Sequence, residues 1–369
     1  MIVLFGATGY TGRRTAEAMV RRGLRPVLAG RSADRLASLA RHLGNLDVAT
    51  ADVGDHSSVR ALIGRDDVLV STVGPFLRLG EPALRAAVDA GSIYFDSTGE
   101  APFIRRVFEE FGPQAERTGA SLITAFGYDY VPGNLAGALA LRHSGGEVHR
   151  VEVGYLISGV GGAQVISRGT GASLVGLVTE QAFTWRDGIR PEPTGLRMRT
   201  FSLAGRGRPA LSIGSTEHYA LPRLAGPGRL PEVDVYLGSF GPAARVLHLS
   251  SRAIPALVAL PGARSLVRRI GESALQWVAE EPDPVALARV TSHVIGTAYD
   301  ASGTALAEAC LVAGDPYQLT ADLLAWGAQR AAEHGVSGPG ALGPVAAFGL
   351  AELEAGAAQV GLRRLPHRP

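Results

Sequence analysis

The sequence predicts an α/β chain in which an N-terminal Rossmann domain, a doubly wound parallel sheet, is joined to a second α+β domain built on an antiparallel sheet. Three observations predict it. A short apolar run, a glycine-rich turn and a helix-favouring stretch follow one another within the first 22 residues. Apolar strand-like runs then alternate with helical stretches to about residue 130, as a doubly wound sheet requires. Beyond that point strand-like and helical segments mix without strict alternation. The 369 residues, 46% of them hydrophobic, are enough for two domains of ordinary size.

The first strand is Ile2-Val3-Leu4-Phe5, and Gly6-Ala7-Thr8-Gly9-Tyr10-Thr11-Gly12 leads from it into a helix over 13–22. This arrangement lays a dinucleotide pyrophosphate on a helix N-terminus. Gly6 allows the tight turn, Gly9 lets the backbone approach the phosphates, and Gly12 lets the helix sit close to the strand. The flanking strand and helix are what lift a three-glycine pattern above chance.

The second strand, 26–29, ends in Gly30-Arg31-Ser32. An NAD site commonly carries an acidic residue here to bond the ribose hydroxyls. Arg31 stands in its place, and a guanidinium can grip a 2′-phosphate with two parallel hydrogen bonds. Ser32 can add a hydroxyl, and Arg35 lies one helical turn further on. NADP(H) is therefore expected over NAD.

The third strand, 46–51, ends at Asp52-Val53, a pair placed to frame the adenine. The fourth, 67–73, brings Thr72 and Val73 into Gly74-Pro75-Phe76, at the strand end expected beside the nicotinamide ribose. Phe76 reads equally well as a wall of that pocket or as a core aromatic. A helix over 82–91 and a fifth strand, 92–96, follow, the strand running into Ser97-Thr98-Gly99-Glu100. Thr98 is expected at the cofactor, and Glu100 either bonds the cofactor or caps the next helix. The sixth strand, 121–125, enters Phe126-Gly127-Tyr128-Asp129-Tyr130-Val131-Pro132-Gly133-Asn134, whose glycines and prolines suggest a hinge out of the domain.

In the second domain, strands are expected at 148–157, 197–203, 210–213, 232–237, 291–298 and 306–312. Helices are expected at 172–185, 319–334 and 345–361, and a small-residue loop at 159–170. The expected domains are 1–132, 133–335, and a C-terminal helix over 336–369 returning to the first. The stretch 243–278 combines apolar clusters with flanking arginines. It suits a lid over an apolar substrate, a peripheral membrane contact, a partner or dimer surface, or a buried helical pair.

Composition removes several chemistries. All 36 basic residues are arginine. Schiff-base lysine catalysis, a P-loop lysine and a Tyr-x-x-x-Lys pair are therefore excluded. A net charge of +2 gives no reason to expect a nucleic-acid partner. The single cysteine, Cys310, cannot form an intramolecular disulfide and reads as a small buried apolar residue. The histidines show no metal-ligand spacing, and no Gly-x-Ser-x-Gly elbow is present. No apolar run reaches membrane-spanning length. A cytoplasmic protein is expected, working on a small, apolar substrate and forming a homodimer.

Hydride transfer asks of the protein positioning, a polarising donor and a proton source. Tyr128, Asp129 and Tyr130 are the catalytic candidates, Tyr128 first, because a phenol can donate directly or through water. A tyrosine that merely fills the domain junction is the structural alternative. Ser167 and Thr170 are candidate polarisers.

Five motifs in order resemble the saccharopine-dehydrogenase-like oxidoreductases, a group that includes the bacterial trans-acting enoyl reductases. They are the 6–12 turn, Ala29-Gly30-Arg31-Ser32, Val73-Gly74-Pro75-Phe76, Tyr94-Phe95-Asp96-Ser97-Thr98-Gly99-Glu100 and Gly127-Tyr128-Asp129-Tyr130-Val131-Pro132-Gly133. Ser167-Arg168-Gly169-Thr170-Gly171-Ala172-Ser173, Gly314-Asp315-Pro316-Tyr317 and Gly335-Val336-Ser337-Gly338-Pro339 extend the resemblance more loosely. It implies an NADPH-dependent reductase acting on a C=C conjugated to a carbonyl, in an acyl or polyketide-type substrate. Imine reduction, and a catalytically silent NADPH-binding sensor or scaffold, are the alternatives. Relatives carry Phe-Asp-Ser where this chain has Tyr128-Asp129-Tyr130, and Thr-Pro in the late segment where it has Ser337-Gly338-Pro339, so the resemblance does not transfer a substrate.

Overall fold

A computed structural model describes residues 1–159, 171, 181–203, 205–238, 243–251, 273 and 281–366. The chain forms two compact units. One is made of Met1–Gly99, Phe103–Val131 and Pro316–Gly361, the other of Glu100–Pro102, Pro132–Asp315 and Leu362–Pro369.

The first unit is a seven-stranded parallel sheet. Its strands β1 (Ile2–Phe5), β2 (Val27–Gly30), β3 (Val48–Thr50), β4 (Val68–Ser71), β5 (Ile93–Asp96) and β6 (Ser121–Ile123), with the short strand Gly340–Ala341, lie in the order 340–341, β6, β5, β4, β1, β2, β3. The central strands β1 and β4 are buried along their whole length. Helices on both faces of a parallel sheet demand this, and it makes such strands read as unbroken apolar runs rather than alternating ones. The chain reverses its winding between β1 and β4, so the crevice beyond their carboxyl ends is where a ligand is collected.

The helix Pro316–His334 belongs to this unit, not to the second as expected. Arg21 of helix α1 (Tyr10–Arg21) bonds Asp322 at 2.9 Å, and Arg22 bonds Gln329 at 2.7 Å. Trp326 stacks on Phe126, with ring centroids 6.3 Å apart. The chain therefore returns at Pro316, twenty residues before the expected boundary at 336. The helix expected over 345–361 is two helices, Pro344–Phe348 and Leu350–Gln359, parted by Gly349 at φ +82°. Residues 362–366 go with the second unit, where Arg363–Arg364 pairs with a strand.

The second unit is built on a mostly antiparallel sheet. Its strands are β7 (Arg150–Ser158), β8 (Ala182–Arg186), β9 (Ile189–Glu192), β10 (Met198–Leu203), β11 (Arg206–Ser212), β12 (Glu232–Leu237), β13 (Thr291–Tyr299) and β14 (Ala305–Ala313). The main path is β10-β11-β12-β7-β13-β14, and β8 pairs with β12 and β9. One pair, β7 with β12, is parallel. The segment expected as a hinge includes the start of a helix, Val131–His143. Its small residues let it lie close on the sheet: a Cβ on Gly296 of β13 would stand 2.5 Å from the Ala136 carbonyl carbon.

On the opposite face Phe201 covers Gly154, where a Cβ would come within 2.6 Å of its ring, and joins Leu156, Ala210, Tyr236 and Ile295 in an apolar cluster. Cys310, half-buried, packs against that cluster, a structural place for the lone thiol. The helix expected over 172–185 is corrected at its end, because Ala182–Arg186 is β8. Residues 172–180 lie outside the described ones. The turn from β8 to β9 is Asp187-Gly188, both at positive φ, which is the combination a tight hairpin demands. Among the described residues, no helix is long and apolar enough to cross a membrane.

Candidate nucleotide-binding site

The first unit assembles its candidate site from the carboxyl ends of its strands. Gly6 turns the chain at φ +88°, and its N–H donates to the Ala29 carbonyl at 2.9 Å, fastening the turn to the end of β2. A Cβ on Gly6 would come within 2.8 Å of both Thr72 Oγ1 and Val73 Cγ2, so the first and fourth strand ends are pressed together here. Thr72 closes the contact by donating from Oγ1 to the carbonyls of Phe5 and Gly6, each 3.2 Å away.

Gly9 is the N-cap of α1, without a side-chain capping bond, and the first turn of α1 holds no acidic residue. Thr8 and Tyr10 flank it, and the Thr8 carbonyl accepts from Arg13 at 3.2 Å. Thr11 is the second residue of the helix, and its carbonyl accepts from Thr15. A Cβ on Gly12 would overlap the Gly6 carbonyl oxygen. A helix N-terminus with no side-chain capping bond, no acidic residue in its own first turn and glycine at each close approach fits an anionic pyrophosphate.

Arg31 follows β2 directly and is exposed, as is Arg35. Ser32 caps helix α2 (Ala33–His42), accepting from the Arg35 N–H at 3.4 Å, and its hydroxyl proton stays available to donate. The Ala51 N–H donates to the Gly30 carbonyl at 3.0 Å, joining the third strand end to the second. Asp52, exposed, accepts from the Gly54 N–H at 2.7 Å, and Val53 beside it is half-buried. The structure thus gathers residues 6–12, 29–32, 51–53 and 72–73 at one edge of the sheet.

Beyond Thr72, Gly74-Pro75 leads to Phe76, which is buried and packs on Phe103 with centroids 5.7 Å apart. Thr98 is buried, and its N–H donates to Asp96 Oδ1 at 2.9 Å. Asp96, the last residue of β5, was only part of a motif in the sequence, yet it organises this side of the site. Its fully buried carboxylate also accepts from the Ala125 N–H at 2.8 Å and from Thr124 Oγ1 at 2.7 Å. Burial pushes its pKa up to about 6, against the pull of those hydrogen bonds.

The three catalytic candidates follow β6. Tyr128 and Tyr130 are buried, and Asp129 is half-buried. The Tyr128 N–H donates to Thr320 Oγ1 at 3.0 Å, and the Tyr130 hydroxyl donates to the Gly99 carbonyl at 3.2 Å. The Asp129 carboxylate faces Gly99, where a Cβ would lie 3.0 Å from Oδ2, and burial raises its pKa to about 6. The loops after β5 and β6 are therefore knitted together. Thr320 had no signal in the local sequence, since its partner lies 192 residues away. Ser167, Thr170 and all of 252–278 except Ser273 lie outside the described residues.

The second unit holds buried polar groups of its own, which the sequence did not single out. Asp234 on β12 receives Arg186 and Arg197, and Arg197 also bonds Glu192. Burial alone would raise the Asp234 pKa, but the two arginines outweigh it and hold the carboxyl below its ordinary range. Glu217 is fully buried and accepts from the Tyr155 hydroxyl at 2.6 Å. His218 beside it is fully buried, and burial drives its pKa down to about 4.

An NAD(P)H-binding family matches residues 6–92, the segment that builds the glycine turn, β2, β3 and β4. Over their whole length the two units share the fold of saccharopine dehydrogenase (L-Glu forming) from Saccharomyces cerevisiae, with a TM-score of 0.61, 12% identity and 99% of each chain covered. At 12% identity this likeness is one of fold. Homospermidine synthase from Legionella pneumophila, in complex with NAD, is similar in the same way, with a TM-score of 0.61 and 11% identity over 98% of this chain and 90% of that one. A putative trans-acting enoyl reductase of Mycobacterium tuberculosis is 41% identical over 152 residues. That stretch is 40% of this chain, and it spans only 36% of the relative's length.

Proposed function

We propose that the protein is an NADPH-dependent reductase that delivers a hydride to a C=C conjugated to a carbonyl, in an acyl or polyketide-type substrate. The observation that carries the reading is the N-terminus of α1 behind the Gly6 turn, which has no side-chain capping bond and no acidic residue in its first turn, together with the 41% identity to a protein named for enoyl reduction. When bound, the nicotinamide supplies the hydride. The chain's own part is to hold and orient. The first turn of α1 receives the pyrophosphate, Arg31 and Ser32 grip a 2′-phosphate, and Thr72 and Val73 border the ribose end of the crevice. Asp129, lifted to about 6, is better matched to giving up a proton near neutral pH than Tyr130, whose hydroxyl is engaged by Gly99. Tyr128 remains the alternative donor.

Fluorescence titration with NADPH and NADH, followed by NADPH oxidation against enoyl thioesters and cyclic imines, tests the reading. Turnover of enoyl thioesters supports it. Turnover of imines alone replaces C=C reduction with C=N reduction, and nucleotide binding with no turnover across the panel favours a sensor.

The NADP preference has its own test. Arg31→Ala should weaken NADPH binding by about 10- to 100-fold, the loss expected for charge-assisted hydrogen bonds to a phosphate. NADH binding should hardly change. Equal loss of both nucleotides would remove Arg31 from the 2′-phosphate site.

A further inference from the structure

The helix Pro316–His334 begins where the nucleotide crevice is built, although some 300 residues separate it from the glycine turn. Two residues of its first turns, Tyr317 and Thr320, stand three apart and so share one side of the helix. Tyr317 meets Tyr10, the first residue of α1, edge to face, with centroids 5.3 Å apart and ring planes at 79°. Arg14 lies over the same Tyr10 ring, its guanidinium carbon 4.9 Å from the centroid. Thr320 Oγ1 accepts the Tyr128 N–H at 3.0 Å while donating to the Pro316 carbonyl at 2.8 Å, which fixes its rotamer. A Cβ on Gly127 would lie 2.7 Å from Thr320 Cγ2, so the loop after β6 presses flat against this residue. One helix face thus braces both the turn that would hold the pyrophosphate and the loop that carries the proton-donor candidates.

We propose that Tyr317 and Thr320 are positioning residues of the nucleotide site, Tyr317 setting the first turn of α1 through Tyr10 and Thr320 setting the loop 127–130 through the Tyr128 amide. The proposal rests on the nucleotide-binding reading above. Neither residue touches the reacting atoms. Each acts through a neighbour that must be held within a fraction of an ångström for the site to work.

Two pairs of variants of the 369-residue chain test it. For each, NADPH affinity is read by fluorescence titration, and amide hydrogen exchange is read in the peptide covering 127–131, with and without NADPH. Tyr317→Ala should weaken NADPH binding by about tenfold, a loss typical of a small misplacement at a preorganised site. Tyr317→Phe keeps the edge-to-face contact and should bind as the unmodified protein does. Thr320→Val keeps the shape but loses the acceptor, so the 127–131 amides should exchange faster and NADPH should no longer protect them. Thr320→Ser keeps the acceptor and should restore both. A lower melting temperature in Tyr317→Ala and Thr320→Val, with NADPH affinity and nucleotide-dependent protection unchanged, would reduce both residues to packing and overturn the proposal. Absence of NADPH binding in the unmodified protein would instead overturn the nucleotide reading and the proposal with it. In that case, exchange at 127–131 in the free protein still reports separately whether Thr320 holds the loop.

Discussion

Alanine at position 12 is expected to abolish nucleotide binding and to destabilise the first unit by about 3 kcal/mol, the upper part of the range for overpacking a tight contact. The added methyl would overlap the Gly6 carbonyl oxygen and stand 2.9 Å from Ala7 Cα and the Gly6 carbonyl carbon. All three are backbone atoms, so no side chain can rotate away. The helix must withdraw from β1, and its first turn then leaves the place where the pyrophosphate would sit. Gly9→Ala separates the two effects. Its methyl meets only the Gly6 carbonyl oxygen, at 3.4 Å, a contact that a slight adjustment relieves. That variant should keep its melting temperature but bind nucleotide poorly, because on the proposed reading the methyl would stand where the phosphate approaches the backbone. Thermal unfolding and NADPH titration of both proteins check this. A Gly12→Ala protein that melts and binds like the unmodified one would mean that α1 does not receive the nucleotide.

The contrast between these two glycines explains why so much of the first unit was legible in the sequence. Parallel strands buried on both faces read as continuous apolar runs. Ile2–Phe5 and Val68–Ser71 stand out for that reason, and their ends are marked by glycine or proline. The cofactor candidates follow from strand ends, a local property. What was not legible depends on partners distant in the chain. The helix Pro316–His334 sits late in the sequence, where position alone places it with the second domain, yet its partners are Arg21, Phe126 and Tyr128. Asp234 lies in an alternating stretch, Glu232-Val233-Asp234-Val235, which reads as a strand with a solvated face. The arginines that cover it come from β8 and from the segment leading into β10, and nothing near Asp234 announces them. The β8–β9 hairpin is a different kind of miss. Its Asp187-Gly188 turn is a local signal, but the aromatics before it, Phe183 and Trp185, suit a helix end as well as a strand.

Asp96→Asn is expected to raise stability at neutral pH and to flatten its dependence on pH between about 4 and 6. The carboxyl of Asp96 is fully buried, and its pKa in the folded protein is about 6 against an ordinary value of 3.8. Burial is the dominant cause. The Ala125 and Thr98 amides, the Thr124 hydroxyl and Tyr94 pull the other way without cancelling it. Between the two pKa values the folded state therefore binds more protons than the unfolded state. The Asp96 contribution is most favourable below about pH 4, is lost as pH rises through about 6, and amounts to about 3 kcal/mol for a shift of roughly two units. Asparagine removes the charge and keeps the geometry. Its oxygen can accept from both amides, and its amide can donate to the Thr124 hydroxyl, which exchanges roles as donor and acceptor. Asp96→Ala removes the acceptor as well, and each stranded N–H should cost about 1–3 kcal/mol. Asp129 also titrates near 6 and adds a slope of the same sign in every protein, so the useful quantity is the difference between Asp96→Asn and the unmodified chain. Melting temperatures from pH 4 to pH 7 should diverge, with Asp96→Asn gaining on the unmodified protein as pH rises and Asp96→Ala below both near pH 7. Parallel curves for the aspartate and asparagine proteins would mean that Asp96 is not an ionised group held in the interior.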